Sequence, residues 1–197
     1  MKHKDLQQVK SYIVRNNTYF VFLLLIVIAS LMPSNFMSVM NLRNIALQQA
    51  APVMVAMGML FVILTGGIDL SVGSIQAFSA ALASYLITNN GVNWVLAILI
   101  ALAVSALMGM VTGMLVAFFN FQGFVASLAM MTIARGLAFI ITRGMPIKLD
   151  MATLPSLANK QYWYPMLIIT VLTILLFMFI QKYTSFGRII KAIGSNK

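Results

Sequence analysis

Long apolar stretches separated by short polar segments run along this chain. A helix needs about 20 mainly apolar residues to cross the hydrocarbon core of a bilayer, and about six such stretches can be drawn. They cover residues 18–32, 45–64, 71–87, 92–119, 124–142 and 164–181. The pattern predicts an all-α fold, a polytopic transmembrane helical bundle. Its predicted parts are an N-terminal tail (residues 1–17), a transmembrane domain (18–181) and a polar C-terminal segment (182–197).

A polar segment between the second and third stretches is rich in glycine and hydroxyl groups. It reads Thr65-Gly66-Gly67-Ile68-Asp69-Leu70-Ser71-Val72-Gly73-Ser74. Glycine suits a left-handed helix end, and Asp69 or Ser71 can cap the next helix by accepting free amide hydrogens. The helix is therefore expected to break around residues 66–73 and to restart.

The third stretch is short, and its length bears on the depth of Asp69 in the membrane. About 17 residues form a helix of roughly 26 Å, less than the thickness of the hydrocarbon core. One interpretation places Asp69 partly inside the membrane, where broken helices present backbone groups to polar substrates. The alternative is an ordinary cytoplasmic turn with a capping aspartate.

Composition supports the membrane class, and the placement of charge orients the chain. Hydrophobic residues make up 61% of it, charged residues 8%, and the mean hydropathy is +0.97, whereas soluble domains carry about 25% charge. The net charge of +10 comes mainly from basic residues that flank the apolar stretches. They are Lys2, Lys4, Lys10 and Arg15 before the first and Lys182, Arg188, Lys191 and Lys197 after the last. Lys and Arg residues accumulate in the cytoplasmic segments of membrane proteins, so both termini are predicted to be cytoplasmic. Because the charge flanks the apolar stretches, nucleic acid is not an expected partner.

A few polar side chains fall within or beside the apolar stretches. Arg135 lies inside the fifth stretch, where a charge is costly unless it faces protein or water. The predicted topology puts Arg135 toward the outer half and Asp69 toward the inner half, so a direct pair is not expected; backbone carbonyl groups are the alternative partner. Gln48, Gln49 and Ser127 offer amide and hydroxyl groups. Because ion-coupled carriers need several buried titratable groups, the chain favours a neutral, hydroxyl-rich solute.

Several kinds of chemistry are excluded by residue type. The chain has no cysteine, and its one histidine, His3, lies in the polar tail, so thiolate or imidazole metal sites are not expected. No glycine is followed by lysine, which excludes a phosphate-binding loop of the nucleotide-hydrolase kind. No catalytic constellation is visible. The chain is therefore predicted not to be an enzyme and to need no cofactor.

Small residues repeat at four-residue spacing in the fourth stretch, at Ser105, Gly109 and Gly113. Such spacing lets helices approach closely, so these residues are interpreted as a helix-packing face.

Several ordered motifs together resemble one family. The run Gly67-Ile68-Asp69-Leu70-Ser71-Val72-Gly73-Ser74 resembles the signature of permeases of ribose, xylose and galactose-type ABC sugar importers. The surrounding landmarks are similar too: Asn41-Leu42-Arg43-Asn44-Ile45 with Gln48-Gln49, Phe124-Val125-Ala126-Ser127-Leu128 with Arg135-Gly136, and Thr184-Ser185-Phe186-Gly187-Arg188 with Ala192-Ile193-Gly194-Ser195-Asn196. The resemblance covers nearly the whole chain but does not identify the sugar.

The resemblance implies a permease subunit that imports a monosaccharide such as ribose by alternating access across a bacterial inner membrane. The implied partners are ATP-binding ABC subunits that hydrolyse ATP, a second permease copy, a periplasmic or extracellular sugar-binding protein, and membrane lipid. The implied pathway residues are Gln48, Gln49, Asp69, Ser71, Ser74, Ser127 and Arg135. The implied contact with the ATPase is formed by Gly187, Arg188, Ala192, Gly194 and Asn196.

The chain departs from the family in length. The family continues after this point with further membrane helices, and the chain resembles about the first three-fifths of such a permease. It is expected to be a fragment, a truncated product or a half that assembles with another chain. The alternative function is accordingly a truncated, non-transporting membrane remnant or regulatory partner. A self-sufficient secondary carrier is disfavoured because buried titratable groups are scarce.

Overall fold

The computed structural model describes residues 17–31, 36–149 and 164–195. Within those ranges the regular structure is helical. The helices are α1 (Asn17–Leu31), α2 (Val39–Leu64), α3 (Val72–Asn90), α4 (Trp94–Phe119), α5 (Gly123–Thr142), α6 (Tyr164–Tyr183) and α7 (Ser185–Ser195). The predicted tail up to residue 16 and Asn196 lie outside the described residues.

The all-helical prediction is confirmed, but fewer helices qualify as membrane spans than the six expected. Each predicted stretch coincides with a helix from α1 to α6. In the described part of the chain, α2, α4, α5 and α6 are long and apolar enough to cross a membrane, whereas α1 is a shorter apolar helix. The helix α3 is long enough at 19 residues but is less apolar, because it carries polar side chains such as Gln76, Ser79 and Ser84.

The chain divides into two compact units, Met1–Gln48 and Gln49–Lys197. In the first unit, Ser38 forms the start of α2. Its hydroxyl accepts a hydrogen bond from the amide of Asn41 at 3.2 Å, and its carbonyl accepts one from the amide of Leu42 at 3.0 Å. The side-chain amide of Asn41 also donates to the carbonyl of Phe36 at 2.8 Å. These bonds satisfy donors that an unprotected helix start would leave free.

In the second unit, α3 packs against both α4 and α5. Phe78 of α3 lies in the core with Met108 of α4 and with Met130 and Ala134 of α5. Small side chains in the contacting helices, such as Ala97, Ala101 and Ala126, are almost fully buried. Helices in membranes associate through close packing at small residues, so α3 is the central helix of this packing.

The turns between α3, α4 and α5 are short and follow the predicted positions. Asn120 ends α4 in the left-handed conformation, with φ of 56°, and its amide donates to the carbonyl of Leu115. Asn93 starts α4, and its side-chain oxygen accepts a hydrogen bond from the amide of Val95 at 2.9 Å. Asparagine is suited both to the left-handed conformation at a helix end and to capping a helix start. The two turns can therefore be short.

Candidate functional site

The helix break between α2 and α3 occurs where the glycine-rich run predicts it. Gly66 has φ of 73°, a left-handed conformation that glycine adopts without a steric penalty. The amide of Gly66 donates to the carbonyl of Ile63 at 2.8 Å, and the amide of Gly67 donates to the carbonyl of Val62 at 3.1 Å. The hydroxyl of Thr65 also donates to Val62 at 2.7 Å. The turn is therefore tied by hydrogen bonds to the last turn of α2.

Asp69 holds the start of α3. Its Oδ1 accepts hydrogen bonds from the backbone amide of Ser71 at 2.8 Å and from the hydroxyl of Ser71 at 2.6 Å. Ser71 is fully buried, and its own side chain forms no capping bond. Of the two capping residues considered from the sequence, Asp69 supplies the oxygen. A carboxylate at this position is also favoured by the dipole of the following helix.

A cavity of about 630 Å³ lies next to Asp69. Parts of α2, the break, α4, the first residue of α5, and α7 line it, so these segments meet at one end of the second unit. The lining residues used below are Phe61, Asp69, Gly109, Gly113, Gly123 and Ile190. Most of its lining is apolar, whereas recognition of a sugar needs several placed polar groups. The cavity alone is therefore not a sugar site.

The small-residue face of α4 borders this cavity. A Cβ added at Gly109 or Gly113 would meet no atom within 4 Å among the residues that the structure describes. The close helix contact expected at these two glycines is therefore not seen in the described part of the chain. The close approach in this region is at Gly123, where an added Cβ would lie 3.3 Å from the carbonyl oxygen of Ile68.

Three predicted pathway serines are buried in the contact region of α3 and α5. Ser71 and Ser127 have no exposed surface, and Ser74 is 6% exposed. The hydroxyl of Ser127 donates within its own helix, to the carbonyl of Phe124 at 3.1 Å. These side chains are placed for helix packing in the second unit, and their role in a pathway stays a prediction.

Replacing Ser127 distinguishes a role of its side chain in helix packing from a role in a transport pathway. Ser127→Ala keeps the small volume, so a packing role predicts a change in the free energy of unfolding below about 1 kcal/mol. It also predicts no change in the uptake of the transported solute. Ser127→Leu overfills the packed site and is expected to cost about 1–3 kcal/mol, measured by thermal unfolding in detergent. Uptake lost in Ser127→Ala at normal membrane abundance would instead assign the hydroxyl to the pathway.

Three further predicted pathway residues, Gln48, Gln49 and Arg135, are exposed, and Asp69 is half-buried. Gln48 belongs to the first unit, and Gln49 and Arg135 belong to the second. Arg135 makes no ion pair or hydrogen bond with any residue that the structure describes. Asp69 is the only carboxylate in the described ranges, and it is bonded to Ser71. Within the described residues Arg135 therefore bonds neither to Asp69 nor to the backbone carbonyl groups considered as its alternative partner.

A second cavity, of about 430 Å³, has an almost entirely apolar lining, although three polar residues that the pathway prediction omitted border it. It lies among α2, α3 and α4, and Gln76, Ser79 and Ser105 contribute to its lining. The hydroxyl of Ser105 donates to the carbonyl of Ala101 at 2.8 Å, and Gln76 is exposed. Gln76 could have been found from the sequence, because a side-chain amide within an apolar stretch is unusual.

The helix α7 follows α6 after a tight turn that needs glycine. The hydroxyl of Thr184 donates to the carbonyl of Ile180 and accepts a hydrogen bond from the amide of Gly187 at 3.3 Å. Gly187 is buried, and a Cβ there would overlap the carbonyl of Gln181. At the other end of α7, a Cβ on Gly194 would overlap the carbonyl of Leu64.

The predicted ATPase contact residues therefore differ in their surroundings. Arg188 and Ala192 are exposed, as is Lys191, and Arg188 donates to the hydroxyl of Ser185 at 2.8 Å. Gly187 and Gly194 instead pack against the backbone of other segments. The exposed residues remain candidates for contact with a partner.

Sequence reasoning missed an aromatic cluster beside the cavity. The ring of Phe61 in α2 stacks on Phe177 of α6, with centroids 5.1 Å apart, and meets the edge of Phe186 of α7 at 5.7 Å. Aromatic pairs of this geometry stabilise helix contacts beyond their buried area. No sequence signal distinguishes these three phenylalanines among the 13 in the chain.

Residues 41–197 match the family model described as "Branched-chain amino acid transport system / permease component". The chain belongs to this permease family. Membership of a permease family and the four long apolar helices indicate a multi-pass membrane protein. No solved structure matches the chain.

Curated relatives of this permease family member include sugar permeases. The chain is 34% identical over 197 residues to the Ribose import permease protein RbsC of Escherichia coli (strain K12), covering 95% of this chain and 60% of that protein. It is 38% identical over 182 residues to the protein of the same name from Bacillus subtilis (strain 168), covering 90% and 56%. It is 38% identical over 153 residues to the Galactofuranose transporter permease protein YtfT of Escherichia coli (strain K12), covering 76% and 45%. The chain spans about three-fifths or less of the length of these relatives.

Proposed function

We propose that the chain is a membrane-spanning part of an ATP-driven importer for a monosaccharide such as ribose, and that it moves the sugar by alternating access. The observation that carries the proposal is the 34% identity with a ribose import permease across 95% of this chain. A galactofuranose permease is also among the relatives. The family description names branched-chain amino acids, so an amino acid is the substrate class that the test must separate from a sugar.

The environment of Asp69 supports an ATP-driven rather than an ion-coupled mechanism. A carrier driven by protons or sodium ions uses buried titratable groups that change their occupancy. Asp69 is the only carboxylate within residues 17–31, 36–149 and 164–195, and it is bonded to Ser71 at the start of a helix. A fixed role in holding the helix break is the simpler account of this aspartate.

The exposed basic residues at the end of α6 and in α7 support an orientation of the chain in the membrane and a surface for contact with ATP-binding subunits. Lys182, Arg188 and Lys191 are exposed where the chain leaves α6. Positive residues stay on the cytoplasmic side, which supports cytoplasmic termini in a bacterial inner membrane. On this proposal, separate ATP-binding subunits contact the Arg188 face of α7 and hydrolyse ATP, a second permease copy completes the path, and a sugar-binding protein delivers the sugar.

Uptake of radiolabelled ribose tests the proposal. The chain is expressed with the genes that flank its own in a bacterial strain that cannot take up ribose, and a strain lacking only this chain is the control. We expect uptake that depends on this chain, that excess unlabelled ribose blocks, and that excess leucine does not affect. Depletion of ATP should stop uptake, and a proton uncoupler used with ATP maintained should not.

Three outcomes would contradict the proposal. Competition by leucine would assign an amino acid as the substrate. Loss of uptake on collapse of the proton gradient at constant ATP would favour an ion-coupled carrier. Absence of uptake of ribose and other monosaccharides, with the chain present in the membrane, would favour the non-transporting remnant or regulatory partner.

A further inference from the structure

The helix α7 contacts the carboxyl ends of two other helices through backbone rather than through long side chains. At its start, Gly187 is close enough to the end of α6 that a Cβ would overlap the carbonyls of Ile180 and Gln181. Near its end, Gly194 is close enough to the end of α2 that a Cβ would overlap the carbonyl of Leu64. Contacts of this kind have little freedom to adjust, because no flexible side chain lies between the two backbones.

The end of α2 is also the beginning of the segment that holds Asp69. Leu64 is the last residue of α2, and the turn that follows is bonded back to its final turn through the amides of Thr65, Gly66 and Gly67. The backbone of Ile68 then lies against Gly123 at the start of α5. Four residues therefore separate Leu64 from Asp69, and the first three of them donate their amides to the last turn of α2.

Apolar contacts of Phe186 and Ile190 hold one face of α7 in this position. The rings of Phe186 and Phe61 pack at 82° to each other, with centroids 5.7 Å apart. Ile190, one turn further along, is only 6% exposed and lines the same cavity as Asp69. The polar side chains of Arg188 and Lys191 are exposed. One face of α7 is thus packed in the second unit while another remains available for contact.

We propose that Gly187 and Gly194 are positioning residues that make α7 a rigid link between the end of α6 and the segment of Asp69. A partner that pulls or pushes on the exposed face of α7 then moves the helix break between α2 and α3 through the contact of Gly194 with Leu64. The use of this link in transport rests on the function proposed above. The link itself is a mechanical property of the chain and can be measured without transport.

Single-cysteine labelling tests the link, because the natural chain contains no cysteine. The reporter is Ile68→Cys, at a position 56% exposed in the break, and the control reporter is Phe119→Cys, at a position 67% exposed at the end of α4. Each is combined with Gly194→Ala, with Gly187→Ala, or with the matched control Gly136→Ala, which adds a methyl group into open space. The rate of reaction with a maleimide is measured on the full chain in permeabilised membranes.

The expected result is specific to one reporter. Both Gly194→Ala and Gly187→Ala should change the labelling rate at Ile68→Cys by about fivefold or more, since overpacking forces the backbone to shift. Neither should change the rate at Phe119→Cys by more than about twofold, and Gly136→Ala should change neither rate. General destabilisation would raise the rate at both reporters, so it is distinguished from a transmitted movement.

The effect of Gly187→Ala decides the proposal. Gly187 lies against the end of α6, so a change at Ile68→Cys passes either along α7 or through the stacked rings of Phe177 and Phe61. A rigid link along α7 predicts that the effect of Gly187→Ala persists when Phe177→Leu is added, and loss of the effect in that combination would overturn the link. A change caused by Gly194→Ala alone would show a local clash and would overturn the rigid link. If either glycine variant fails to accumulate, Phe186→Leu replaces it, since it loosens the start of α7. It should change the Ile68→Cys rate by about fivefold while the Phe119→Cys rate stays within about twofold; a change of less than about twofold at Ile68→Cys overturns the proposal. Transmission seen without any sugar uptake would leave the link standing and reject the transport function.

Discussion

Replacing Asp69 by alanine is expected, on the function proposed above, to reduce ribose uptake by about tenfold or more. The replacement removes the acceptor for both the amide and the hydroxyl of Ser71, and Ser71 is fully buried. A buried donor left without a partner costs about 1–3 kcal/mol, and about 1.4 kcal/mol is a factor of ten in an equilibrium. The start of α3 should therefore loosen where the helix break must hold its shape.

The matched variant for this prediction is Asp69→Asn. Its side-chain oxygen can still accept from Ser71, so a capping role predicts that uptake stays within about threefold of the natural chain. A role that needs the negative charge predicts that Asp69→Asn is as defective as Asp69→Ala. Uptake and membrane abundance are measured for both variants. Normal uptake in Asp69→Ala at normal abundance would remove Asp69 from the functional site.

On the function proposed above, reversing the charge of Arg188 and Lys191 together is expected to lower association with the proposed ATP-binding subunits by about tenfold or more. Both side chains are exposed on α7, so the double substitution Arg188→Glu with Lys191→Glu does not disturb the packed face of the helix. Like charges placed opposite each other at an interface weaken association and change its dependence on salt. Co-purification of the ATPase with the permease, at low and high ionic strength, measures the effect.

The control for this experiment is Lys148→Glu. Lys148 is also exposed but follows α5 rather than α6, so it should leave co-purification unchanged. Membrane insertion of the double variant is checked by its abundance in the membrane fraction. Full retention of the ATPase by the double variant would show that the contact lies elsewhere, and the assignment of α7 as the coupling surface would be wrong.

The helix positions and the break were predictable because backbone rules set them locally. Apolar length predicts where a helix can lie in a membrane, and Gly66 adopts the left-handed conformation that its missing Cβ allows. Asp69 accepts from the residue two positions later, a local bond that the sequence spacing permits. These features depend on neighbours within a few residues, so one sequence is enough to identify them.

The arrangement of the candidate site was less predictable because it depends on contacts between distant segments. A serine can face a cavity or pack between helices, and only the contact of α3 with α5 shows that Ser127 is buried. Likewise, Gly187 and Gly194 were predicted at a partner surface, yet both lie against backbone. Phe61 gave no signal, since an aromatic ring in an apolar chain is ordinary until its neighbours are known.

The modest apolarity of α3 has a consequence for biosynthesis. A segment enters the bilayer from the translocon according to its own transfer free energy, and α3 carries polar side chains that weaken this tendency. Its neighbour α4 is among the helices that are long and apolar enough to cross a membrane. Insertion of α3 should therefore wait for synthesis of α4 and proceed as a helical hairpin, so that a ribosome paused between the two helices would leave α3 outside the lipid.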